Sequence, residues 1–282
     1  MSQKKNAGTA GKNARQISAQ MREEAARREK RFRVIAISVL TVAVVALVAL
    51  AVPIIKGVID DKNKTVRPLS ELTAPAILDE NGGISVGAEG VAGTTGPEGA
   101  VELATYVDYM CPACGTFEES NKAQLDALRG AGQLTLVIQP VAILNGYSQG
   151  TDYSTRAAAA AIYVAQNAPE QFLRFHESLF INQPQENTRG LTNAELGDRA
   201  LTVGVPAEVA DKIKDDTAQD EYGEWVDAKT EAVANDEALR SERGFSTPTL
   251  TLNGTKTDVP WNVEGGLTQA VNAAKENATP AS

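Results

Sequence analysis

The chain has 282 residues, enough for one or two domains with a sizeable core. Its composition is that of a globular protein, with 43% hydrophobic residues and 36 acidic residues against 27 basic ones. Residues 1–33 hold ten Lys and Arg and three Glu, so the rest of the chain holds 17 basic and 33 acidic residues. This acidic excess argues against nucleic acid as a partner, because nucleic-acid binding rests on basic side chains that neutralise phosphates.

The first 55 residues predict a membrane anchor. In residues 34–55, a run of 22, only Ser38, Thr41 and Pro53 interrupt the apolar character. As a helix the run would be about 33 Å long, against about 30 Å for the hydrocarbon core of a bilayer. Because basic segments stay in the cytoplasm, we expect a cytoplasmic segment at 1–33, a single transmembrane helix at 34–55 in contact with membrane lipid, and an extracytoplasmic remainder.

A cleaved signal peptide and a buried core helix are the alternatives to an anchor at residues 34–55. Ala49-Leu50-Ala51 resembles a signal-peptide cleavage site, but the apolar run and the basic arm before it are longer than in usual signal peptides. A buried core helix would carry a polar stripe, which this run lacks. An uncleaved signal-anchor is the favoured prediction, and it places the rest of the chain where disulfide bonds form and persist.

Residues 56–83, punctuated by proline and glycine among mixed charges, predict a linker. Ile84–Val86 predicts a first strand, and the glycine-rich stretch after it lacks nucleotide-binding spacing. Val101–Tyr109 predicts a strand, Thr116–Arg129 a helix and Leu134–Gln139 a buried strand. Strand, helix and strand in this order form a right-handed unit with parallel strands.

Residues 153–243 predict a block of helices with no strand between them. The predicted helices are Ser154–Asn167, Pro169–Ile181, one capped by Thr192 and Glu195, one opened by Pro206, and roughly Asp220–Arg243, ended by Gly244. A hairpin follows, with strands Thr249–Leu252 and Thr255–Thr257 joined by Asn253-Gly254. A last helix, Val263–Lys275, has Asn262 as its cap and Val263 facing inward, and residues 277–282 form a tail.

The only two cysteines stand in the sequence Cys111-Pro112-Ala113-Cys114, at the junction of a predicted strand and a predicted helix. Residues three apart in a helix's first turn share one face, and Pro112 suits that turn because its missing N–H would have no partner there. The unpaired N–H groups and the helix dipole lower the pKa of a cysteine at this end. The pattern predicts a redox dithiol.

A zinc site is the alternative for this cysteine pair. Zinc usually takes four ligands, and beyond the two cysteines the chain offers a single histidine, His176. We therefore expect neither a metal nor another cofactor. A lone histidine on an amphipathic helix is usually a packed residue, which is the role that we expect for His176.

The chain resembles the thioredoxin superfamily, and within it the DsbA-like thiol-disulfide oxidoreductases. Three features carry the resemblance over residues 84–276: the strand, Cys-Pro-Ala-Cys and helix; the segment from Gly244 to Leu250, which is similar to the family's cis-proline loop; and the helical insertion at about 153–243. The resemblance implies an α/β, thioredoxin-like fold with an inserted helical domain, here preceded by a single transmembrane helix.

The resemblance also implies roles for single residues. Cys111 would be the attacking, solvent-facing thiol and Cys114 the buried resolving thiol, with Pro112 and Ala113 as the dipeptide between them. Pro248 would be cis and, with Thr247, would present backbone groups to an extended substrate segment.

The sequence departs from the family pattern at two positions. Strongly oxidising members often have a histidine where Ala113 stands, which implies a milder potential here. Relatives often place a buried acid where this chain has Thr105; Asp108, three residues before Cys111, is either a partial substitute or a solvated carboxylate at the strand's end.

The expected function is that of a membrane-tethered, extracytoplasmic disulfide oxidoreductase. Its substrates would be cysteine-containing exported proteins, and a membrane oxidase of the DsbB or vitamin K epoxide reductase type would reoxidise it. A reductase or isomerase on the same fold and a non-catalytic, anchored binding module are the alternatives.

Overall fold

The computed structural model describes residues 66–278. The basic segment at 1–33 and the predicted transmembrane helix at 34–55 lie outside the described residues. Within residues 66–278, no helix is both long and apolar enough to cross a membrane.

A five-stranded mixed sheet forms the centre of the fold. Its strands, in the spatial order β1-β3-β2-β4-β5, are β1 (Ile84–Val86), β2 (Val101–Val107), β3 (Leu134–Pro140), β4 (Thr249–Leu252) and β5 (Thr255–Lys256). Strands β2 and β3 are parallel, as predicted, and helix α1 (Pro112–Gly130) connects them. The other three neighbouring pairs are antiparallel, and Asn253-Gly254 forms the predicted turn between β4 and β5.

The predicted helical block lies between β3 and β4. It consists of α2 (Tyr153–Asn167), α3 (Phe172–Phe180), α4 (Asn193–Thr202), α5 (Ala207–Lys214) and α6 (Thr217–Asn235). The capping box of Thr192 and Glu195 is present at the start of α4. Helix α2 is buried at nearly every position, and its alanines let neighbouring helices approach it closely.

The predicted end of α6 and the predicted start of the last helix are wrong. Helix α6 ends at Asn235 rather than near Arg243, because Asp236 is extended and its side chain accepts the N–H of Ala238 at 2.9 Å, a local bond that competes with the helix. The last helix, α7 (Gly266–Ala278), begins three residues later than predicted, after Gly265 with φ +72°. Val263 therefore lies in a turn, 57% exposed, instead of facing the core.

Residues 66–83, predicted as part of the linker, pack against the domain. Leu69, Leu72, Ile77 and Leu78 contact the core, and the N–H of Ile77 donates to the side chain of Gln166 at 2.9 Å. These residues before β1 are therefore part of the packed domain. In the sheet, β2, which leads into α1, lies between β3 and β4.

Candidate active site

Cys111 and Cys114 lie where β2 passes into α1. Cys111 is the residue that caps α1, Pro112 is the first helical residue, and Cys114 follows in the first turn. The backbone N–H groups of Cys114 and Gly115 both donate to the carbonyl of Cys111, at 3.1 and 3.2 Å. The side chain of Cys111 is 7% exposed, less than the solvent-facing position expected, and that of Cys114 is fully buried.

The thiol of Cys111 has an unusually low pKa. Hydrogen bonds lower the pKa to about 6; the one from the Cys114 side chain contributes most, and the Thr247 side chain and the backbone N–H groups of Cys114 and Ala113 add to it, against the opposing effect of burial. At neutral pH Cys111 is therefore mostly a thiolate, the form that attacks disulfides.

Cys114 has the opposite acidity. Burial, and then its interaction with Cys111, raise the pKa of Cys114 well above its ordinary value. Cys114 therefore keeps its proton while Cys111 is ionised, so the two sulfur atoms are chemically different although they are neighbours on one helical turn.

The Thr247–Pro248 loop lies against this dithiol, and its peptide bond is cis, as predicted. In the thiol form, Sγ of Cys111 donates to the backbone carbonyl of Thr247 at 3.3 Å. The structure thus brings Cys111, Cys114 and Thr247 together from segments that are more than a hundred residues apart in the chain.

Asp108 is fully buried beneath the dithiol, so it is not the solvated carboxylate of the alternative prediction. Its carboxylate accepts the N–H of Met110 at 2.8 Å, the N–H of Leu144 at 2.9 Å and the hydroxyl of Ser154 at 2.7 Å. Burial outweighs these bonds and raises the pKa of Asp108 to about 6. Thr105, at the other position considered, is also buried, and its hydroxyl has no hydrogen-bond partner among the described residues.

Residues 92–273 match the sequence pattern of a family described as thioredoxin. The chain belongs to the thioredoxin family. Within that family, solved structures similar to it are DsbA-like oxidoreductases. Oxidised DsbA from Mycobacterium tuberculosis is 30% identical, with a TM-score of 0.53 over 70% of this chain and 100% of that one. MdbA from Actinomyces oris, described as a thiol-disulfide oxidoreductase, is 27% identical, with a TM-score of 0.56 over 73% of this chain and 99% of that one.

A curated relative of this thioredoxin-family chain is the serine/threonine-protein kinase PknE of Mycobacterium tuberculosis. The two are 36% identical over 138 residues, which are 48% of this chain and 23% of the kinase. The chain thus spans about a quarter of the length of that relative.

The described residues contain no group of three or more His, Cys, Asp or Glu side chains arranged to hold a metal ion. His176, the remaining candidate ligand, is fully buried in the helical block. Its Nδ1 lies 2.9 Å from the Tyr109 hydroxyl and its Nε2 lies 3.1 Å from Glu118 on α1. His176 therefore joins α3 to both sides of the dithiol as a packed, hydrogen-bonded residue.

Gln183 is a residue of this thioredoxin-family site that the sequence did not single out. Its side-chain amide donates to the backbone carbonyls of Tyr109 and Cys111, each at 3.0 Å. Gly115 allows this approach, because a Cβ at that position would meet Oε1 of Gln183 at 2.6 Å. Gln183 thus fixes the backbone on both sides of Met110 from a loop 72 residues away.

Proposed function

We propose that the protein is a membrane-tethered, extracytoplasmic thiol-disulfide oxidoreductase that forms disulfide bonds in exported proteins. The observation that carries the proposal is the opposite acidity of Cys111 and Cys114. A low pKa at Cys111 favours the reduced pair, which makes the Cys111–Cys114 disulfide an oxidant. The solved oxidoreductases that resemble the chain add support from outside the site.

The reaction consists of two exchange steps. A substrate thiolate attacks Sγ of Cys111 and forms a mixed disulfide, while the Cys111–Cys114 bond breaks and Cys114 leaves and takes up a proton. A second substrate thiol loses its proton and attacks the substrate sulfur of the mixed disulfide, and Cys111 leaves as a thiolate. The substrate gains one disulfide and gives up two electrons and two protons, of which Cys114 keeps one and solvent receives the other.

Thr247 and Pro248 bind the substrate in this proposal. Their loop contacts Cys111, so an extended substrate segment joined to Cys111 would lie along it and pair with its backbone groups. Pro112 and Ala113 complete the motif, and because Ala113 has no polar side chain, the thiolate depends on Cys114, Thr247 and the backbone N–H groups alone.

The reduced enzyme returns to its disulfide form by passing two electrons to a membrane oxidase of the DsbB or vitamin K epoxide reductase type. The anchor at 34–55 would hold the dithiol near such a partner. No metal or other cofactor takes part in either exchange step.

The decisive experiment mixes the pre-oxidised protein with a reduced, unfolded secreted ribonuclease, without any other oxidant. We expect two ribonuclease thiols to disappear for each molecule of protein, and none with Cys111→Ser. In cells, Cys114→Ser should accumulate mixed disulfides with exported proteins that a reductant releases. Unchanged ribonuclease thiols would contradict the proposal and favour a non-catalytic binding module. An equal loss of ribonuclease thiols with Cys111→Ser would also contradict it, because the oxidation would then not pass through Cys111.

A reductase or isomerase is the second candidate, favoured by the absence of a stabilising side chain at Ala113. The equilibrium constant of the dithiol with glutathione separates the two. A strongly reducing dithiol that leaves the ribonuclease reduced would support the reductase and exclude the oxidase.

A further inference from the structure

A groove runs along α1 from the dithiol to the end of α3. We call this cavity of about 550 Å³ the α1–α3 groove. Its volume is in the range, roughly 300–1,000 Å³, of sites that enclose small molecules or several side chains. Its lining includes Pro112, Glu118, Glu119, Glu177, Phe180 and Ile181.

The groove begins beside the reacting cysteine. Pro112 directly follows Cys111, and Gln183, which also lines the groove, is bonded to the carbonyl of Cys111. A polypeptide held on Cys111 by a mixed disulfide has the Thr247–Pro248 loop on one side of the sulfur. On the Pro112 side lies this groove.

The far wall of the groove is apolar and exposed. Ile181 is 64% exposed, although a large aliphatic side chain gains most by burial, and Phe180 beside it is only partly buried. Exposed apolar side chains with a polar rim are typical of a surface that a partner covers.

The rim of the groove is acidic. Glu118, Glu119 and Glu177 line it against one cation, Lys122, which is itself paired with Glu177 and with Asp126 at 3.1 Å. Glu119 is exposed and makes no ion pair within residues 66–278. The field in the groove therefore favours a cationic side chain over an anionic one.

We propose that the α1–α3 groove is a specificity site for the substrate polypeptide. It takes the segment next to the reacting cysteine and prefers apolar side chains accompanied by Lys or Arg. The apolar part packs on Phe180 and Ile181, and the cationic part faces Glu119 and Glu118. This inference rests on the proposed function, because the groove acts only on a chain that reacts with Cys111.

Two short synthetic peptides with the same pair of cysteines test it. Leu and Lys flank the cysteines in one peptide, and Ser and Glu flank them in the other. The pre-oxidised full chain oxidises each peptide, and the second-order rate constant is divided by that for dithiothreitol, so that changes in thiol chemistry cancel. We expect the Leu/Lys peptide to react about tenfold faster at low salt, with a smaller ratio at high salt.

Matched variants locate the preference. Glu119→Lys and Ile181→Ser should each reduce the ratio of the two peptides at least threefold. Glu231→Lys on α6 and Leu201→Ser on α4 make the same changes at exposed positions outside the groove, and should leave the ratio as it is.

Equal rates for the two peptides, or a preference that survives both groove variants, would overturn the specificity site while leaving the oxidase intact. If Glu119→Lys and Ile181→Ser instead turn a dimer into a monomer at equal peptide rates, the groove is a contact between copies and the proposal is wrong. A disulfide that dithiothreitol reduces but that oxidises neither peptide would overturn the proposed function and the groove's role together.

Discussion

Cys111 and Cys114 are three residues apart, yet burial and hydrogen bonding give their thiols opposite acidities. The donors that lower the pKa of Cys111 come from its own helical turn and from Thr247. Stabilisation of a thiolate is also a contribution to folding, because the unfolded chain lacks these donors. In the reduced protein this contribution is present above the ordinary pKa near 9 and is lost as the pH falls through about 6.

The hydrogen bonds to Cys111 can be removed one at a time. We expect Cys114→Ala to raise the pKa of Cys111 more than Thr247→Val does, because the Cys114 side chain is the stronger of the two donors. Alkylation by iodoacetamide at pH 6 should slow about two- to threefold in Thr247→Val, since less thiolate is present. Thr255→Val, at an exposed position on β5, is the control. A rate that is the same in all variants would mean that these donors do not set the pKa.

Asp108 shows the reverse linkage between pH and stability. Burial raises its pKa from 3.8 to about 6, so its contribution to stability is fully present below pH 3.8 and is lost as the pH rises through about 6. Asp108→Asn does not titrate. Its amide N–H₂ would face the N–H of Leu144, so that two donors meet where the wild type has a hydrogen bond. The free energy of unfolding of the wild type, relative to that of Asp108→Asn, should fall by about 2–3 kcal/mol between pH 4 and pH 7.

Urea unfolding of both proteins in the disulfide form measures this difference without titration of the thiols. If the difference in free energy of unfolding between the two proteins is the same at pH 4 and pH 7, Asp108 does not titrate in this range.

At the scale of elements, α3 is tied to the β2–α1 junction through His176. The imidazole bonds to Tyr109 and Glu118 and packs against the rings of Phe172 and Phe180, with centroids 6.1 and 5.4 Å away. These contacts connect the inserted helices to both sides of the dithiol, so the helical block supports the geometry of the site.

Replacing His176 tests that connection. His176→Ala should lower the free energy of unfolding by about 3 kcal/mol, because it leaves a cavity and a buried Tyr109 hydroxyl without its partner. Tyr109→Phe removes the same hydrogen bond from the other side, and the double variant should lose less than the sum of the two single losses. Strictly additive losses in urea unfolding would mean that the two residues act independently.

The secondary structure follows from local patterns where those patterns are strong. The thiol pair, the capping box of Thr192 and Glu195, and the Asn253-Gly254 turn each depend on residues a few positions apart, and the structure contains each of them. The ends of α6 and the start of α7 depend on weaker choices, in which the side chain of Asp236 and the positive φ of Gly265 compete with helical periodicity.

The site was predictable only in part for the same reason. The sequence identifies the cysteines and the Thr247–Pro248 loop, but the partners of Asp108 are Leu144 and Ser154, which come from a loop and a helix 36 and 46 residues away. Gln183 has no periodicity or motif that sets it apart from other loop glutamines. Contacts of this kind arise from how the elements pack, which no local pattern encodes.

For the whole molecule, the proposed topology places the acidic domain outside the cell and the basic residues 1–33 inside. One epitope is placed before residue 1 and another after residue 282, and a membrane-impermeant protease is added to cells from which any wall or outer membrane has been removed. We expect the protease to remove the epitope after residue 282 and to spare the one before residue 1. Detergent should expose both epitopes. Loss of only the epitope after residue 282 supports the uncleaved anchor. Protection of that epitope in intact cells would mean that the topology is the reverse of the one proposed.

A buried lysine on α6 holds residues 66–83 against the domain. Lys229 on α6 is 6% exposed and donates to the carbonyl of Asn81, and burial lowers its pKa to about 8. A lysine with a lowered pKa is protonated in the unfolded chain but neutral in the fold between about pH 8 and pH 10.5, so stability rises with pH across this window. Lys229→Met lacks this titration. In the disulfide form, the free energy of unfolding of the wild type should therefore rise by about 2–3 kcal/mol relative to that of Lys229→Met from pH 8 to pH 10.5. The same comparison of the wild type with Lys212→Met, a variant at an exposed position, should show no such rise. If the free energies of unfolding of the wild type and of Lys229→Met instead change in parallel with pH, Lys229 stays charged where residues 66–83 meet α6.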